Sequence, residues 1–284
     1  MKNLHKKSLT NISFNGQKLN FMFTTKITSI ALMAAVAIFS APQYAKSQTA
    51  SKIINVSKGI KNIVLVHGAF ADGSCWSKVI AQLQAKGYNV VAAQNPLTSL
   101  KDDVAAAKRA IAQVDGPVLL VAHSYGGMVM SEAGNDPKVV GLVYVAALVP
   151  EEGQNANDVN AMMPTTGIEK TFQISADGFV SLPLKTVSEF FAPDVSAEEK
   201  NLIYATQVPL AAGAGEEKVP NPAWRTKPSW FIVAAQDRVI SPDLERYKAK
   251  LIKANTIELK SSHVPMISQP NKVTDFIIKA AQSL

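Results

Sequence analysis

Short apolar runs alternate with amphipathic stretches along most of the chain after residue 60. The apolar runs read NIVLVHG, YNVVAA, PVLLVAH, VVGLVYVAA, SWFIVAA and NTIELK, and the helical patterns between them include WSKVIAQLQAKG, LKDDVAAAKRAIAQV and PDLERYKAKLIKA. Such alternation predicts a parallel sheet with crossover helices. Because the strands are almost entirely apolar, helices are expected to cover both faces of the sheet. The pattern therefore predicts an α/β fold.

The alternation stops between residues 150 and 224. EEGQNANDVNAMMPTTG gives way there to SEFFAPDVSAEEKNLIYATQ and then to the Gly- and Ala-rich AAGAGEEKVPNP, and no strand of the main pattern fits. We interpret this segment as an inserted cap of short helices and loops; the alternative is a surface excursion without a role at the site. Residues 48–284 otherwise suit one α/β domain, since domains of this class commonly run to ~200–250 residues.

Residues 1–47 have the pattern of a secretory signal peptide. Lys26 precedes the apolar stretch ITSIALMAAVAIF, and Ala45 and Ser47 place small residues at both positions that determine cleavage. The apolar core of about 13 residues is shorter than the ~20 that cross a bilayer as a helix, which leaves a permanent anchor as the weaker alternative. We expect cleavage near Ser47 and export to the periplasm or the outside. Met22 is an alternative start.

The charge of the chain is concentrated in that leader. Six of the 29 Lys and Arg residues lie there with no acidic residue, so the formal charge of +7 does not describe the remainder, where 23 basic residues face 22 acidic ones. Nucleic acid and anionic membranes are not expected as partners, because both require a concentrated basic surface. Cys75 is the one cysteine of the chain and cannot form an intramolecular disulfide. A soluble exported protein without a stable membrane anchor is expected.

A serine follows directly on the third predicted strand. In PVLLVAHSYGGMVM, Ser124 stands within Ala-His-Ser-Tyr-Gly-Gly, and a helical pattern comes next. A small residue, His, Ser, any residue and two glycines between a strand and a helix are typical of a nucleophile elbow, which projects its serine at the carboxyl edge of a sheet. Ala122 stands where the usual pattern has glycine. The alternative interpretation of Ser124 is an N-cap residue that begins a helix.

A serine hydroxyl becomes a good nucleophile when a base removes its proton, and histidine is the usual base. Three histidines follow the leader. His123 adjoins the serine and is expected to point elsewhere, and His67 ends an earlier strand. His263, in the loop KSSHVPMIS after the last predicted strand, is therefore the predicted base.

An acidic residue should orient that histidine. Asp237 ends the strand WFIVAAQD and gives the chain order Ser, Asp, His that accompanies nucleophile elbows. Asp177 and Asp194 are weaker candidates because they lie in the proposed cap, and a solvated turn residue is the alternative for Asp237. We predict that Ser124, Asp237 and His263 form a catalytic triad.

Acyl transfer places negative charge on the former carbonyl oxygen, and preorganised backbone N–H groups stabilise that charge. One donor should be Tyr125, directly after the nucleophile. The second should come from the loop that follows an earlier strand, VLVHGAF. Gly68 permits close backbone approach there, and Ala69 is the predicted second donor.

Three segments resemble one known superfamily. VLVHGAFADGSCW, LVAHSYGGMVMSEAGNDPKVVGLVYVAALVP and SSHVPMISQPNKVTDFI are similar to the α/β-hydrolase superfamily, in particular to the small esterases that include plant methyl esterases of the salicylate-binding type and the hydroxynitrile lyases. The similarity spans about residues 60 to 284 and is weak through the cap. It implies an α/β-hydrolase fold with the same triad and oxyanion donors.

The resemblance also bears on the substrate. Hydroxynitrile lyases carry a lysine directly after the catalytic histidine, where this chain has Val264, so a lyase is disfavoured and a small, uncharged ester is expected. The pocket residues named as candidates are Phe70, Met162, Phe190, Phe191 and Val264, although packing of the cap onto the body is the alternative for those in the cap.

No metal-ligand spacing and no Gly-x-Gly-x-x-Gly after a strand is present, so neither a metal nor another cofactor is expected. The alternative functions are a cofactor-free lyase or perhydrolase on the same triad, and a non-catalytic, receptor-like binding protein. The sequence predicts neither the acid nor the alcohol of the substrate, nor the oligomeric state.

Overall fold

The computed structural model describes residues 59–284, and the predicted leader lies outside the described residues. The strands are β1 (Asn62–Val66), β2 (Asn89–Ala93), β3 (Val118–Ser124), β4 (Val139–Ala147), β5 (Gln173–Ile174), β6 (Phe179–Ser181), β7 (Leu210–Ala211), β8 (Ser229–Ala234) and β9 (Asn255–Leu259). The helices are α1 (Ser77–Ala85), α2 (Leu100–Ala112), α3 (Gly126–Ala133), α4 (Ala156–Asn160), α5 (Leu184–Thr186), α6 (Ala197–Thr206), α7 (Pro242–Leu251), α8 (Pro265–Ser268) and α9 (Pro270–Gln282).

The main sheet has six strands in the order β2-β1-β3-β4-β8-β9. Every neighbouring pair is parallel. Strands β3 and β8 are buried along their whole length, which requires cover on both faces. Helices α1 and α9 pack against each other, as do α2 and α3. The predicted α/β fold, with a mostly parallel sheet and crossover helices, is confirmed.

The strand order creates a crevice at the carboxyl ends of β1 and β3. From β1 the chain moves outward to the edge strand β2, and it then returns to the other side of β1 to form β3. In open α/β sheets, ligands bind outside the carboxyl ends of the strands where the direction of winding reverses. The loop after β1 and the turn after β3 therefore meet at the position where a ligand is expected.

The segment between β4 and β8 contributes no strand to the main sheet. It contains α4, α5 and α6, a π-helical turn at Val187–Phe191, and a second sheet in which β6 pairs antiparallel with β5 and β7. The sequence pattern predicts short helices and loops here and does not reveal this small sheet. Its strands have only two or three residues each, too few for a period-two pattern to emerge.

Candidate active site

Ser124 is the last residue of β3 and lies in a tight turn between this strand and α3. Its backbone has a φ of +55°, in the left-handed region that non-glycine residues rarely adopt. The pairing of β3 with β4 shifts register between His123 and Ser124, and α3 begins at Gly126. A Cβ atom on Gly127 would lie 2.1 Å from the carbonyl oxygen of Leu148, so this position requires glycine. The turn has the geometry of a nucleophile elbow.

Ser124, His263 and Asp237 form a continuous hydrogen-bonded chain. His263 Nε2 lies 2.8 Å from Ser124 Oγ, and Nδ1 lies 2.6 Å from Asp237 Oδ2. Because an ionised carboxylate only accepts hydrogen bonds, Nδ1 donates and Nε2 is left to accept the serine proton. The side chains of His263 and Asp237 are fully buried. The structure thus brings together the three residues selected from the sequence, in an arrangement able to activate a serine.

Asp237 is held by the turn that follows β8. Its Oδ1 accepts the backbone N–H groups of Val239 at 2.6 Å and Ile240 at 3.0 Å, while Oδ2 faces the histidine. Two amide donors satisfy one carboxylate oxygen and so restrict rotation of the carboxylate about its Cβ–Cγ bond. This orientation presents the other oxygen to His263.

The two alternative acids lie elsewhere. Asp177 accepts a hydrogen bond from Ser175 in the turn between β5 and β6. Asp194 accepts the N–H of Ser262 at 2.8 Å and also its hydroxyl proton. Asp194 therefore fixes the residue before His263 and has no hydrogen bond to the histidine ring. This contact was not predictable from the sequence, since 68 residues separate Asp194 from Ser262.

The backbone N–H groups of Ala69 and Tyr125 are available to a ligand. Neither has a hydrogen-bond partner among residues 59–284, and both residues line the cleft at Ser124. Gly68 allows the loop after β1 to come this close, because a Cβ atom there would lie 2.6 Å from Ser124 Cβ. The two predicted oxyanion donors thus lie on the same cleft as the serine.

A buried carboxyl group anchors the Tyr125 side chain. The Tyr125 hydroxyl donates to Asp103 Oδ2 at 3.1 Å, and the Leu97 N–H donates to Oδ1 at 2.7 Å. Burial raises the pKa of Asp103 to about 6, because desolvation outweighs these two hydrogen bonds. Asp103 was not among the residues predicted from the sequence. The sequence did contain a signal for it: Asp103 lies on the apolar face of α2, in helical register with Ala107 and Ala110, where a carboxylate is unusual.

His123 contacts the candidate base, His263, and has no hydrogen bond to the serine hydroxyl. Its ring lies against the His263 ring, with centroids 4.6 Å apart, and its Nε2 donates to the carbonyl oxygen of His263 at 2.8 Å. Burial, reinforced by the neighbouring His263, lowers the pKa of His123 well below its ordinary value. His67 accepts the N–H of Asn95 at 2.9 Å, and burial lowers its pKa as well. Both histidines have structural hydrogen bonds in their neutral form.

A cleft opens over Ser124 and encloses about 1190 Å³, including its mouth. Its walls come from the loop after β1, from the inserted segment and from the turn after Asp237. Glu169 is the one charged side chain among its lining residues within 59–284. The other wall residues include Phe70, Leu148, Ile168, Phe172, Leu210 and Ile240. The cleft therefore suits a largely apolar ligand.

The candidate pocket residues divide between this cleft and a second cavity. Phe70 borders both, whereas Phe191 and Val264 border only the second, which encloses about 610 Å³ and has an ion pair of Lys78 and Glu199 in its wall. Met162 and Phe190 border neither cavity. Met162 packs against the hydrophobic core instead. Phe190 is half-buried, and the helical turn that buries Phe191 directs its neighbour elsewhere.

Comparison with known proteins gives consistent results. Residues 63–276 match the Alpha/beta hydrolase family. Probable hydrolase R7 of a Phoma species is 27% identical over 244 residues, which cover 77% of this chain and 97% of that protein. Methylesterase 7 of Arabidopsis thaliana is 26% identical over 253 residues, covering 78% and 96%. The crystal structure of polyneuridine aldehyde esterase has a TM-score of 0.69 at 19% identity, covering 78% and 99%.

The chain therefore belongs to the α/β hydrolase family and is an enzyme of the hydrolase class. The predicted resemblance to methyl esterases and the predicted fold are confirmed. Within residues 59–284, no helix has both the length and the hydropathy to span a bilayer. In the same part of the chain, no three His, Cys, Asp or Glu side chains are grouped so as to hold a metal ion.

Proposed function

We propose that the protein is a serine esterase that hydrolyses a small, uncharged carboxylic ester through an acyl-serine intermediate. The observation that carries this proposal is the 2.8 Å hydrogen bond between Ser124 Oγ and His263 Nε2, with Asp237 on the other ring nitrogen. The N–H groups of Ala69 and Tyr125, which have no partner among residues 59–284, add support, because ester hydrolysis develops negative charge on an oxygen that such donors stabilise.

In the first half of the proposed reaction, Ser124 Oγ forms a bond to the ester carbonyl carbon while His263 Nε2 takes the hydroxyl proton. The carbonyl oxygen becomes an oxyanion, which the N–H groups of Ala69 and Tyr125 stabilise. In other enzymes one such donor contributes roughly 3–4 kcal/mol. The bond to the alcohol oxygen then breaks, and His263 gives its proton to the departing alcohol.

In the second half, water attacks the acyl carbon and gives a proton to His263. The bond between Ser124 Oγ and the acyl carbon breaks as that proton returns to the serine oxygen. The products are the carboxylic acid and the free enzyme. Throughout the reaction, Asp237 accepts a hydrogen bond from the Nδ1–H of His263. It thereby stabilises the imidazolium that exists between these proton transfers.

The substrate class follows from the charges around the site. Among the described lining residues of the cleft, Glu169 is the single charge, so an anionic substrate would gain no cationic partner there. Val264 borders the second cavity and supplies no ammonium group next to His263 to stabilise a departing cyanide. The relative named a methylesterase also favours ester hydrolysis over lyase chemistry.

A chromogenic acyl ester tests the proposal. Wild-type protein should release alcohol in a burst and then turn over, whereas Ser124→Ala should lose turnover and keep its fold, because the hydroxyl acts in covalent chemistry. Ser131→Ala is the matched control: Ser131 is also a buried serine, on α3, with its hydroxyl 3.2 Å from that of Tyr144. Its turnover should stay near that of the wild type.

Two outcomes would contradict the esterase proposal. Turnover by Ser124→Ala at the wild-type rate would remove the serine from the mechanism. Tight binding of esters by the wild type without turnover would indicate a receptor-like protein. A panel of esters graded by acyl-chain length would then define the acid that the cleft accepts.

We also propose that the enzyme is exported and that its leader is removed near Ser47. The support is the cationic, apolar and small-residue pattern of residues 1–47. N-terminal sequencing of protein recovered from an exporting host should give a chain that begins near Gln48. Recovery of protein that retains ITSIALMAAVAIF in the membrane fraction would indicate an anchor instead.

A further inference from the structure

A second buried carboxyl group lies behind the candidate triad. Glu245 is on α7, the helix that packs against β8, and its side chain is fully buried. Transferring an ionised carboxylate out of water is costly unless a cation or several donors compensate for the lost hydration. Among residues 59–284 no cation forms an ion pair with Glu245: the neighbouring Arg246 is directed to Asp243 and Glu258 at the surface.

The two oxygens of Glu245 have different surroundings. Oε2 accepts the N–H of Ala234 at 2.9 Å, at the carboxyl end of β8. Oε1 is buried and has no donor among residues 59–284, although the Asp237 carboxylate lies within hydrogen-bonding reach of this side chain. Two ionised carboxylates only accept hydrogen bonds and repel each other. A proton on Oε1 would turn this repulsion into a hydrogen bond.

We propose that Glu245 is a neutral carboxylic acid whose O–H donates to the Asp237 carboxylate, and that it thereby acts as a positioning residue for the His263 base. The catalytic part of this inference rests on the proposed esterase function. Burial raises the pKa of Glu245 well above its ordinary range, and the negative charge of Asp237 raises it further, which agrees with a retained proton.

The proposed donor acts on the charge and the orientation of Asp237. That carboxylate is buried with the histidine and already accepts N–H groups from Val239, Ile240 and His263. A further neutral donor stabilises its charge in a site that water does not reach, without adding a cation that would compete with the imidazolium. Loss of the donor would remove one of the contacts that hold and stabilise the carboxylate and so weaken its hold on His263.

Infrared spectroscopy tests the protonation directly and needs no substrate. The difference spectrum between wild type and Glu245→Gln at pH 8 should show the carbonyl stretch of a protonated carboxylic acid in the wild type only. A wild-type spectrum in which residue 245 contributes only carboxylate bands would overturn the proposal. Because this result does not depend on ester turnover, it separates failure of this inference from failure of the esterase proposal.

Kinetics test the positioning role. Glu245→Gln keeps a neutral donor beside Asp237 and an acceptor for Ala234 N–H, so its kcat should stay within about threefold of the wild type. Glu245→Met has a similar volume but no donor, and its kcat should fall about 10- to 100-fold with little change in KM, a loss comparable to one buried hydrogen bond.

Rescue by glutamine and failure with methionine would support positioning through a donor. A folded Glu245→Met with wild-type kcat, or Glu245→Gln with as large a loss as methionine, would contradict it. Should Glu245→Met not fold, the infrared measurement on wild type and Glu245→Gln still decides whether the proton is present.

Discussion

At the residue scale, the two oxygens of Asp237 have different partners, and this asymmetry makes its replacement informative. In Asp237→Asn the amide oxygen can still accept the N–H groups of Val239 and Ile240, which places the NH₂ group opposite His263. His263 would then carry its proton on Nε2 and could no longer accept the serine proton. Turnover should fall by roughly 10⁴ while circular dichroism shows an unchanged fold.

Asp177→Asn is the control for that substitution. Asp177 is exposed and accepts a hydrogen bond from Ser175, so its replacement removes the same charge without changing a residue of the candidate site. Its initial rates should match those of the wild type. Near wild-type turnover in Asp237→Asn, together with a loss in Asp177→Asn or Asp194→Asn, would place the acid in the inserted segment.

The residue scale also shows which parts of the site were accessible from sequence. Ser124, Asp237 and His263 were selected because a local motif, a chain order and the scarcity of histidine together favoured them, with Asp177 and Asp194 left as weaker candidates for the acid. The pairings of Tyr125 with Asp103 and of His123 with the His263 carbonyl follow no local rule. Asp103 and Glu245 do share a signal that was overlooked: each is a carboxylate on the buried face of an amphipathic helix.

At the element scale, the strands of the main sheet were predictable and those of the inserted segment were not. VVGLVYVAA coincides with β4, and SWFIVAA extends one residue beyond β8, because a strand covered on both faces reads as a continuous apolar run. The strands β5, β6 and β7 are too short to show a pattern and depend on pairing with each other. Their structure therefore depends on tertiary pairing, which the periodicity of the sequence does not reveal.

The inserted segment is also tied to the loop that carries His263. Asp194 accepts hydrogen bonds from both the N–H and the hydroxyl of Ser262, so the segment that borders the cleft also holds the residue preceding the candidate base. Helix α6 in the same segment has no buried residue, and its Glu199 pairs with Lys78 on α1. Exposed ion pairs contribute little to stability, so the Asp194 contact is the stronger link between the segment and the site.

At the scale of the whole molecule, the site exists only when distant segments of the chain meet. The candidate nucleophile is the last residue of β3, one candidate oxyanion donor follows β1, the candidate acid follows β8 and the candidate base follows β9. All four strands are parallel members of one sheet, so their carboxyl ends share one edge. The order of the strands thus determines the position of the site, and the loops determine its chemistry.

The stability of the whole domain should depend on pH through Asp103. Burial raises the pKa of this carboxyl to about 6, above the ordinary value of 3.8. A carboxyl whose pKa is raised by folding stabilises the folded state fully below its unfolded pKa, and this contribution is lost as the pH rises through about 6. The lowered pKa values of His67 and His123 act in the opposite sense, since their contribution is lost as the pH falls.

A comparison of variants separates these opposing contributions. Asp103→Asn removes the carboxyl and leaves both histidines unchanged. The free energy of unfolding at pH 8 minus that at pH 4.5 should therefore be more positive in the variant than in the wild type, by on the order of 1–2 kcal/mol. Urea unfolding at the two pH values measures this difference. Asp115→Asn, in the exposed loop between α2 and β3, makes the same charge change and should keep the wild-type pH dependence. If Asp103→Asn also keeps it, then Asp103 does not take up a proton in this range, and its hydrogen bonds from Leu97 and Tyr125 outweigh its burial.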